Sequence, residues 1–278
     1  MKPFTYHTHS TYCDGKNSLS EMARAAYDQG LDSLGFSCHS YLFNDYGCIQ
    51  PQSIESYKSE AKVLQEQYGP LGLDIFLGIE QDACSERIEK SDYDYIIGSV
   101  HNIIVNGDRI VIDGSKSFPT NLEKHFGGDA IALSIEYYKV VEKLYELTDC
   151  QIVGHIDLVT KFNEGYRLFD ERNPRYENAA LSAIENLAKK DLIFEINTGS
   201  VARGYRSEPY PSKRLLSMIR EAGGRITYSS DCHDAEFLKY GFDDIQRLAL
   251  DCGFDSFMKL KRTPTGCEFY PVEIEVTK

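Results

Sequence analysis

Histidine is scarce in this 278-residue chain, yet six of its seven copies fall at or just beyond the end of an extended segment. That regularity constrains the fold more than any other feature of the sequence. The first instance is Tyr6-His7-Thr8-His9-Ser10, followed by Thr11-Tyr12-Cys13-Asp14-Gly15. Residues 4–10 read as a strand, in which side-chain direction repeats every two residues, so His7 and His9 share a face. Two imidazoles on one face can grip a single metal ion, and the turn that follows brings Asp14 back toward them.

The rest of the chain repeats the arrangement. Ser18-Leu19-Ser20-Glu21 has capping-box spacing and opens an amphipathic helix ending near Gly30. A second strand over 33–39 closes on His39. A helix over 52–68 stops at Gly69-Pro70, and a third strand, 73–82, carries Glu80. The fourth, 93–101, ends on His101. An insertion follows over 102–129: Asn106-Gly107 between apolar runs predicts a hairpin over 102–112, and the remainder to Asp129 reads as a loop forming a lid or rim. A long helix is expected over 130–148, then a fifth strand over 152–157 with His155, and a helix over 175–190. The sixth strand, 192–197, leads into Thr198-Gly199-Ser200-Val201-Ala202-Arg203. Residues 211–223 read as helical, and the seventh strand, 225–230, delivers Asp231-Cys232-His233. Helical segments are expected over 243–260, with a final extended stretch.

Strands alternating with helices imply parallel pairing through right-handed crossovers, which an open doubly wound sheet and a closed barrel both satisfy. The polar residues at the strand ends decide between them. His7, His9, His39, Glu80, His101, His155, Asp231 and His233 come from many different strands. Such residues converge on one point only if the sheet closes, as at the catalytic face of a barrel. The expected fold is therefore an α/β single-domain barrel over 1–278 with its active site at the carboxyl-terminal mouth.

Thirty basic against 43 acidic side chains give a net charge of -13, which opposes a nucleic-acid footprint or an anionic membrane surface. If the substrate is an anion, metals and a few local cations must reverse the field at the site. Eight cysteines occur without a Cys-x-x-Cys pair, several inside apolar strand-like runs. Free buried thiols in a reducing compartment follow, although Cys13, Cys38 and Cys232 lie beside candidate ligands. With no signal-peptide pattern and no apolar run of about 18 residues or more, a cytoplasmic location is expected.

His7-x-His9 with Asp14-Gly15, His39, Glu80, Gly98-Ser99-Val100-His101, Gly154-His155-Ile156-Asp157 and Ser230-Asp231-x-His233 resemble the metal motifs of the PHP (polymerase and histidinol phosphatase) family. The length and the element Glu195-Ile196-Asn197-Thr198-Gly199 with Arg203 resemble its stand-alone histidinol-phosphate phosphatase branch. The resemblance implies a distorted (β/α)7 barrel holding three divalent metal ions, zinc, iron or manganese, which suit imidazole and carboxylate ligands. It assigns His7, His9, Glu80 and Asp231 to one metal. Glu80 bridges to a second completed by His101 and His155, and Asp14, His39 and His233 hold the third. Many family members have a histidine where this chain has Asp14.

The resemblance further implies hydrolysis of a small phosphate ester, L-histidinol phosphate, to L-histidinol and phosphate by attack of a metal-bridging hydroxide, a step of histidine biosynthesis. The alternative is another small ester such as a nucleotide; a non-catalytic barrel would be expected to have lost ligands. Arg203 is the first choice for phosphate contact, with Arg206 second and Lys161 within reach of the same oxygens. The leaving-group proton has three candidate sources, a metal-bound water, Asp231 or His233, among which the sequence does not choose. Asp157 is a candidate to orient a ligand or, equally, to cap a loop, and His125 in the insertion matches no motif. Tyr41, Phe43, Tyr46 and Phe118 are aromatic candidates near the mouth, where one would stack on an imidazole.

Overall fold

The computed structural model describes residues 2–275. Seven parallel strands run in the order β1 (Phe4–Thr5), β2 (Ser33–Phe36), β3 (Asp74–Asp82), β4 (Tyr95–Ser99), then β7 (Ile152–Val153), β8 (Ile193–Asn197) and β9 (Arg225–Ser229). The antiparallel hairpin β5 (Asn102–Val105) and β6 (Asp108–Val111) interrupts the series after β4. Every neighbouring pair in the seven-stranded sheet is parallel. The sheet curls until its edges meet: Thr8 forms a parallel bridge with Cys232, with His9 N donating to Cys232 O at 2.8 Å and Cys232 N to His7 O at 3.2 Å. The result is a nearly closed (β/α)7 barrel, as the strand-end residues require.

The helices form where their caps are written. Ser18 accepts from Glu21 N while the Glu21 carboxylate accepts from Ser18 N, fixing the start of α1 (Leu19–Asp28). α2 (Ile54–Tyr68) runs to Gly69. Asp129 caps α4 (Ala130–Val141), and Asn173 with Pro174 opens α6 (Pro174–Lys189). The helices bury one face each against the strands, α6 for example through Tyr176, Ala180, Ala183, Ile184 and Leu187. The barrel interior is filled on one side by Tyr95. Its hydroxyl donates to the carbonyls of Tyr6 and Phe36, and its ring lies against Gly35 and Gly78, where any Cβ would collide with it.

Four expectations are corrected. The regular strands are shorter than the sequence pattern, because backbone groups near the mouth turn to side chains. Thr8 N donates to Ser37 Oγ, His101 N to Asp82 Oδ2 and His155 N to Glu195 Oε2. The segment before Asp129, expected to be a loop, contains α3 (Phe118–Phe126), with Pro119 in its first turn and Gly127 as a left-handed cap. The helix expected over 130–148 is interrupted after α4, where Lys143 leaves helical geometry (φ -98°, ψ 8°) before α5 (Leu144–Thr148).

The largest difference is at the carboxyl end. α7 (Gly199–Ala202) and α8 (Lys213–Glu221) precede β9, and α9 (Phe242–Asp251) stops at Gly253, whose φ is +84°. What was expected as further helix is β10 (Ser256–Thr263), which pairs antiparallel with β11 (Gly266–Glu273). This hairpin lies under the barrel's amino-terminal end. Leu260 N donates to Tyr6 Oη, Lys259 pairs with Asp32, and Arg262 reaches Asp94 and Ile75 O. The Asn106-Gly107 hairpin is as expected, both residues having positive φ (53° and 86°) between β5 and β6. Among the described residues no helix is long and apolar enough to cross a membrane.

Candidate metal centre

All nine residues expected as ligands meet at the carboxyl-terminal mouth. Glu80, buried near the end of β3, is the hub. Its Oε2 lies 3.2 Å from His7 Nε2, 3.6 Å from His9 Nε2 and 2.7 Å from His39 Nδ1. Its Oε1 lies 3.0 Å from His155 Nε2 and 3.3 Å from His101 Nε2. Asp231 Oδ1 is 3.2 Å from His9 Nε2 and 3.7 Å from His7 Nε2. Asp14 Oδ1 is 3.3 Å from His233 Nε2, 3.6 Å from His39 Nε2 and 3.7 Å from His9 Nδ1.

Local folding explains the convergence. The pairing of β2 with β3 is continued beyond Phe36 by a parallel bridge between His39 and Glu80, with Ser40 N donating to Glu80 O at 2.8 Å. Asp231 adopts φ +47°, in the left-handed region that aspartate tolerates better than most residues, and so turns its carboxylate back toward His7 and His9. Gly199 leaves the room this needs: a Cβ there would sit 2.6 Å from Arg203 Nη2 and 2.8 Å from Asp231 Oδ2.

Some of these donor atoms make no well-directed hydrogen bond. His7 Nε2, His9 Nε2 and Glu80 Oε2 are buried and, although they crowd one another and His39, His7 Nε2 and His9 Nε2 form no well-directed hydrogen bond. A buried acceptor or donor left in this way is costly unless something else satisfies it. Electrostatics point the same way. Burial works against the charge on Glu80, but His7, His39 and His101 hold its carboxyl well below the usual range. Burial likewise opposes Asp231, which Arg203 and His7 hold low. His7 is raised against burial by Glu195, Glu80 and Asp231, and His39 by Glu80 and Asp14. Carboxylates gathered this closely call for positive charge, and the group is chemically suited to divalent cations. Four sets of donors could each hold an ion, with all ligand atoms within 4.8 Å of one another. They are His7/His9/Asp231, His7/Glu80/His155, His39/Glu80/His101 and His9/Asp14/His39/His233.

Two residues were given no orienting role from the sequence. Glu195 Oε1 lies 2.7 Å from His7 Nδ1 and accepts from Ser229 Oγ, while its Oε2 accepts from His155 N and Asn197 Nδ2, each at 2.9 Å. Asp82 Oδ2 lies 3.2 Å from His101 Nδ1 and accepts from His101 N. Each contact leaves the ring's Nε2 facing the cluster, the usual task of a carboxylate behind a ligating histidine. The signals were present: Glu195 is a charge inside the apolar run Leu192–Ile196, and Asp82 shares a strand face with Glu80. Of the two roles open to Asp157, orienting a ligand or capping a loop, the contact seen is the second: it accepts Ser212 N at 2.9 Å.

The three cations separate. Arg203 is at the site: Nη2 meets Asp231 Oδ2 at 2.9 Å, and Nη1 donates to Asp231 O at 2.9 Å and lies 3.2 Å from His233 Nδ1. Arg206 is drawn away from the mouth. Its side chain is 4% exposed and is held by Glu171 (2.7 Å) and Glu208 (3.1 Å), so the expected phosphate contact is replaced by a buried ion pair. Lys161 donates to Asp113 O at 3.1 Å and meets Asp113 Oδ2 at 3.3 Å, beside the Phe162 and Tyr205 rings. His125 reaches Asp108 on the insertion hairpin at 3.5 Å. Of the aromatic candidates, Phe118 is buried, Tyr41 half-buried, and Phe43 and Tyr46 are 71% and 90% exposed. Cys13 Sγ lies 3.5 Å from His9 Nδ1, while Cys232 Sγ donates to Asp234 O.

Known proteins share this architecture. The PHP domain matches residues 5–199. A Schizosaccharomyces pombe protein named "Probable histidinol-phosphatase" is 26% identical over 286 aligned positions, covering 95% of this chain and 91% of that protein. Crystal structures of HisK from Listeria monocytogenes (TM-score 0.77, 18% identity, 87% of this chain and 99% of that one) and of histidinol phosphate phosphatase from Lactococcus lactis (TM-score 0.67, 20% identity, 93% and 96%) have the same fold. The Lactococcus structure is complexed with zinc, L-histidinol and phosphate. The chain belongs to the PHP domain family.

Proposed function

We propose that this member of the PHP family is a metal-dependent phosphomonoesterase that hydrolyses L-histidinol phosphate to L-histidinol and phosphate, as a step of histidine biosynthesis. The observation that carries the reading is the set of buried imidazole and carboxylate atoms converging on one mouth beside a fixed arginine, with His7 Nε2 and His9 Nε2 lacking a well-directed hydrogen bond. The name of the Schizosaccharomyces relative and the ligands of the Lactococcus enzyme supply the substrate.

Three divalent ions (zinc, iron or manganese) are the proposed complement. His7, His9, Glu80 and Asp231 would hold one, Glu80 with His101 and His155 the second, and Asp14, His39 and His233 the third. Bound there, they would polarise phosphoryl oxygens and bring the pKa of water down toward about 7. The protein's own groups do the rest. Glu195 and Asp82 fix the rings of His7 and His101. Arg203, kept charged by Asp231 against the effect of burial, is held with N–H groups to spare for an equatorial phosphate oxygen. His233 and Asp231 flank that guanidinium and are the candidates for returning a proton to the leaving alkoxide. The chain acts as one barrel unit, with 102–129 as its insertion. A cytoplasmic setting suits its cysteines, all eight of which are free among the described residues.

The test is phosphate release from L-histidinol phosphate beside nucleotide and sugar monophosphates, with metal-loaded and chelator-stripped protein. Preference for L-histidinol phosphate that disappears on stripping and returns with metal is expected. Undiminished release from fully stripped protein refutes the metal mechanism; preference for another ester refutes the substrate.

A further inference from the structure

A cavity of about 200 Å³ opens sideways from the metal centre, between the loop after His39 and the insertion hairpin. Asp14, His39 and His101 line its inner wall, and Asp45, Asn102 and Asp113 line the remainder together with Ser40 and Asp82, whose carboxylate oxygens are already taken by Cys84 N and by His101. Among the described residues, neither lysine nor arginine lines it. Leu42 and Val111 add apolar surface, so the space suits a compact organic group rather than water alone.

Asn102 supplies an independent sign of a ligand. It is 3% exposed, its Nδ2 donates to Asp82 Oδ2 at 3.5 Å, and its Oδ1 has no partner. A buried amide oxygen beside a cavity is satisfied by an N–H or O–H brought in from outside. Asp113 adds charge. Lys161 holds its backbone carbonyl and Oδ2, and among the described residues no hydrogen bond engages Oδ1. Lys161 thereby positions Asp113.

We propose that this cavity is the leaving-group subsite, and that it selects a protonated primary amine, held by Asp113 and Asp45 with Asn102 Oδ1 as a further acceptor, while the ester phosphate lies at the metal centre. The inference rests on the phosphomonoesterase reading above and adds its specificity determinant. An uncharged alcohol leaves these acceptors unpaired, whereas an amino-alcohol ester satisfies them. The sugar or base of a nucleotide offers no ammonium to the same wall.

The test compares kcat/KM of metal-loaded protein for L-histidinol phosphate and for its analogue lacking only the amino group, 3-(imidazol-4-yl)propyl phosphate. Wild type should favour the amine by roughly tenfold to a hundredfold, the range of one charge-assisted contact. Asp113→Asn and Asp45→Asn should each shrink that ratio, Asp113→Asn by about tenfold, with metal content measured alongside. Equal kcat/KM for the two esters in wild type overturns the subsite and leaves the phosphatase reading standing. An unchanged ratio in both variants, with or without loss of metal, overturns the assignment of these carboxylates. Turnover of neither ester by metal-loaded wild type overturns both readings together.

Discussion

Replacing Glu195 by glutamine tests how the centre is held, because the four donors around this carboxylate leave the amide only one tolerable orientation. Oε2 receives His155 N and Asn197 Nδ2, neither of which can accept a hydrogen bond in return. The new NH2 group must therefore take the Oε1 position, facing Ser229 Oγ and His7 Nδ1. The serine hydroxyl can rotate. His7 can comply only by moving its proton from Nδ1 to Nε2, the atom that faces Glu80 and Asp231. That tautomer has no lone pair left at Nε2 for a metal. The loss of one charge-assisted hydrogen bond, about 1.5–3 kcal/mol, corresponds to roughly a tenfold to hundredfold weaker metal affinity, as expected for a carboxylate behind a ligating histidine. Competition of Glu195→Gln and wild type against a chromophoric zinc chelator measures it, with thermal melts of the metal-free proteins run in parallel. Activity lost at limiting zinc should return at high zinc. Affinity within twofold of wild type would show that His7 does not depend on Glu195 for its tautomer.

Other substitutions separate the arginines and probe the barrel. Arg203→Ala should lower kcat/KM for the phosphate ester by about tenfold to a hundredfold. Arg206→Ala strands buried Glu171 and should cost about 3–5 kcal/mol of stability in urea titrations, with kcat/KM of the folded fraction little changed; the reverse pattern would exchange their roles. Gly78→Ala sets a Cβ into the Tyr95 ring and should destabilise by about 1–3 kcal/mol in the same assay, so a neutral effect would mean that Tyr95 is free to move. Stripping the metals should raise hydrogen exchange at His9 and Cys232, the amides that join β1 to β9, before it does so at β3 and β4. Uniform protection across all four elements would refute a seam dependent on metal.

Strand-end histidines made the barrel legible because each marks the same structural position, and a closed sheet is what brings five such strand ends together. The helices with written caps, Ser18 for α1 and Asn173-Pro174 for α6, began where expected. The sequence misled where local propensity met tertiary demand. Met258 and Leu260 continue an apolar spacing that fits a helix after α9. The left-handed Gly253 ends that helix, and Tyr6 Oη and Asp32 then capture the segment as a strand. At the site, which residues converge was readable from spacing, but the partners of the cations were not. Arg206 and Arg203 differ by three positions, yet one meets Glu171 from another loop and the other meets Asp231. No local pattern distinguishes them, because both acids are distant in sequence.

The position of the ligands also accounts for the irregular strands that carry them. β1 is two residues long, and among the described residues no ladder joins it to β9. The junction is made by Phe4 N donating to Tyr228 Oη at 3.3 Å and by the single bridge between Thr8 and Cys232. At the lower end, the β10–β11 hairpin covers this seam through Leu260 and through Phe257, whose ring lies 4.7 Å from that of Tyr228. At the upper end, His7 and His9 leave one side of the seam and Asp231 and His233 the other, with Asp231 Oδ1 facing both imidazoles of the first pair. A cation drawing on His7, His9 and Asp231 therefore ties together two edges that backbone hydrogen bonds join at only one point. Ligands on a fully laddered strand would be held more rigidly, but their backbone groups could not also turn to Glu195, Asp82 and Ser37, which set the donor atoms. If ions are held there as proposed, closure of the seam and assembly of the centre are coupled, and part of the binding free energy at the mouth would also stabilise the seam.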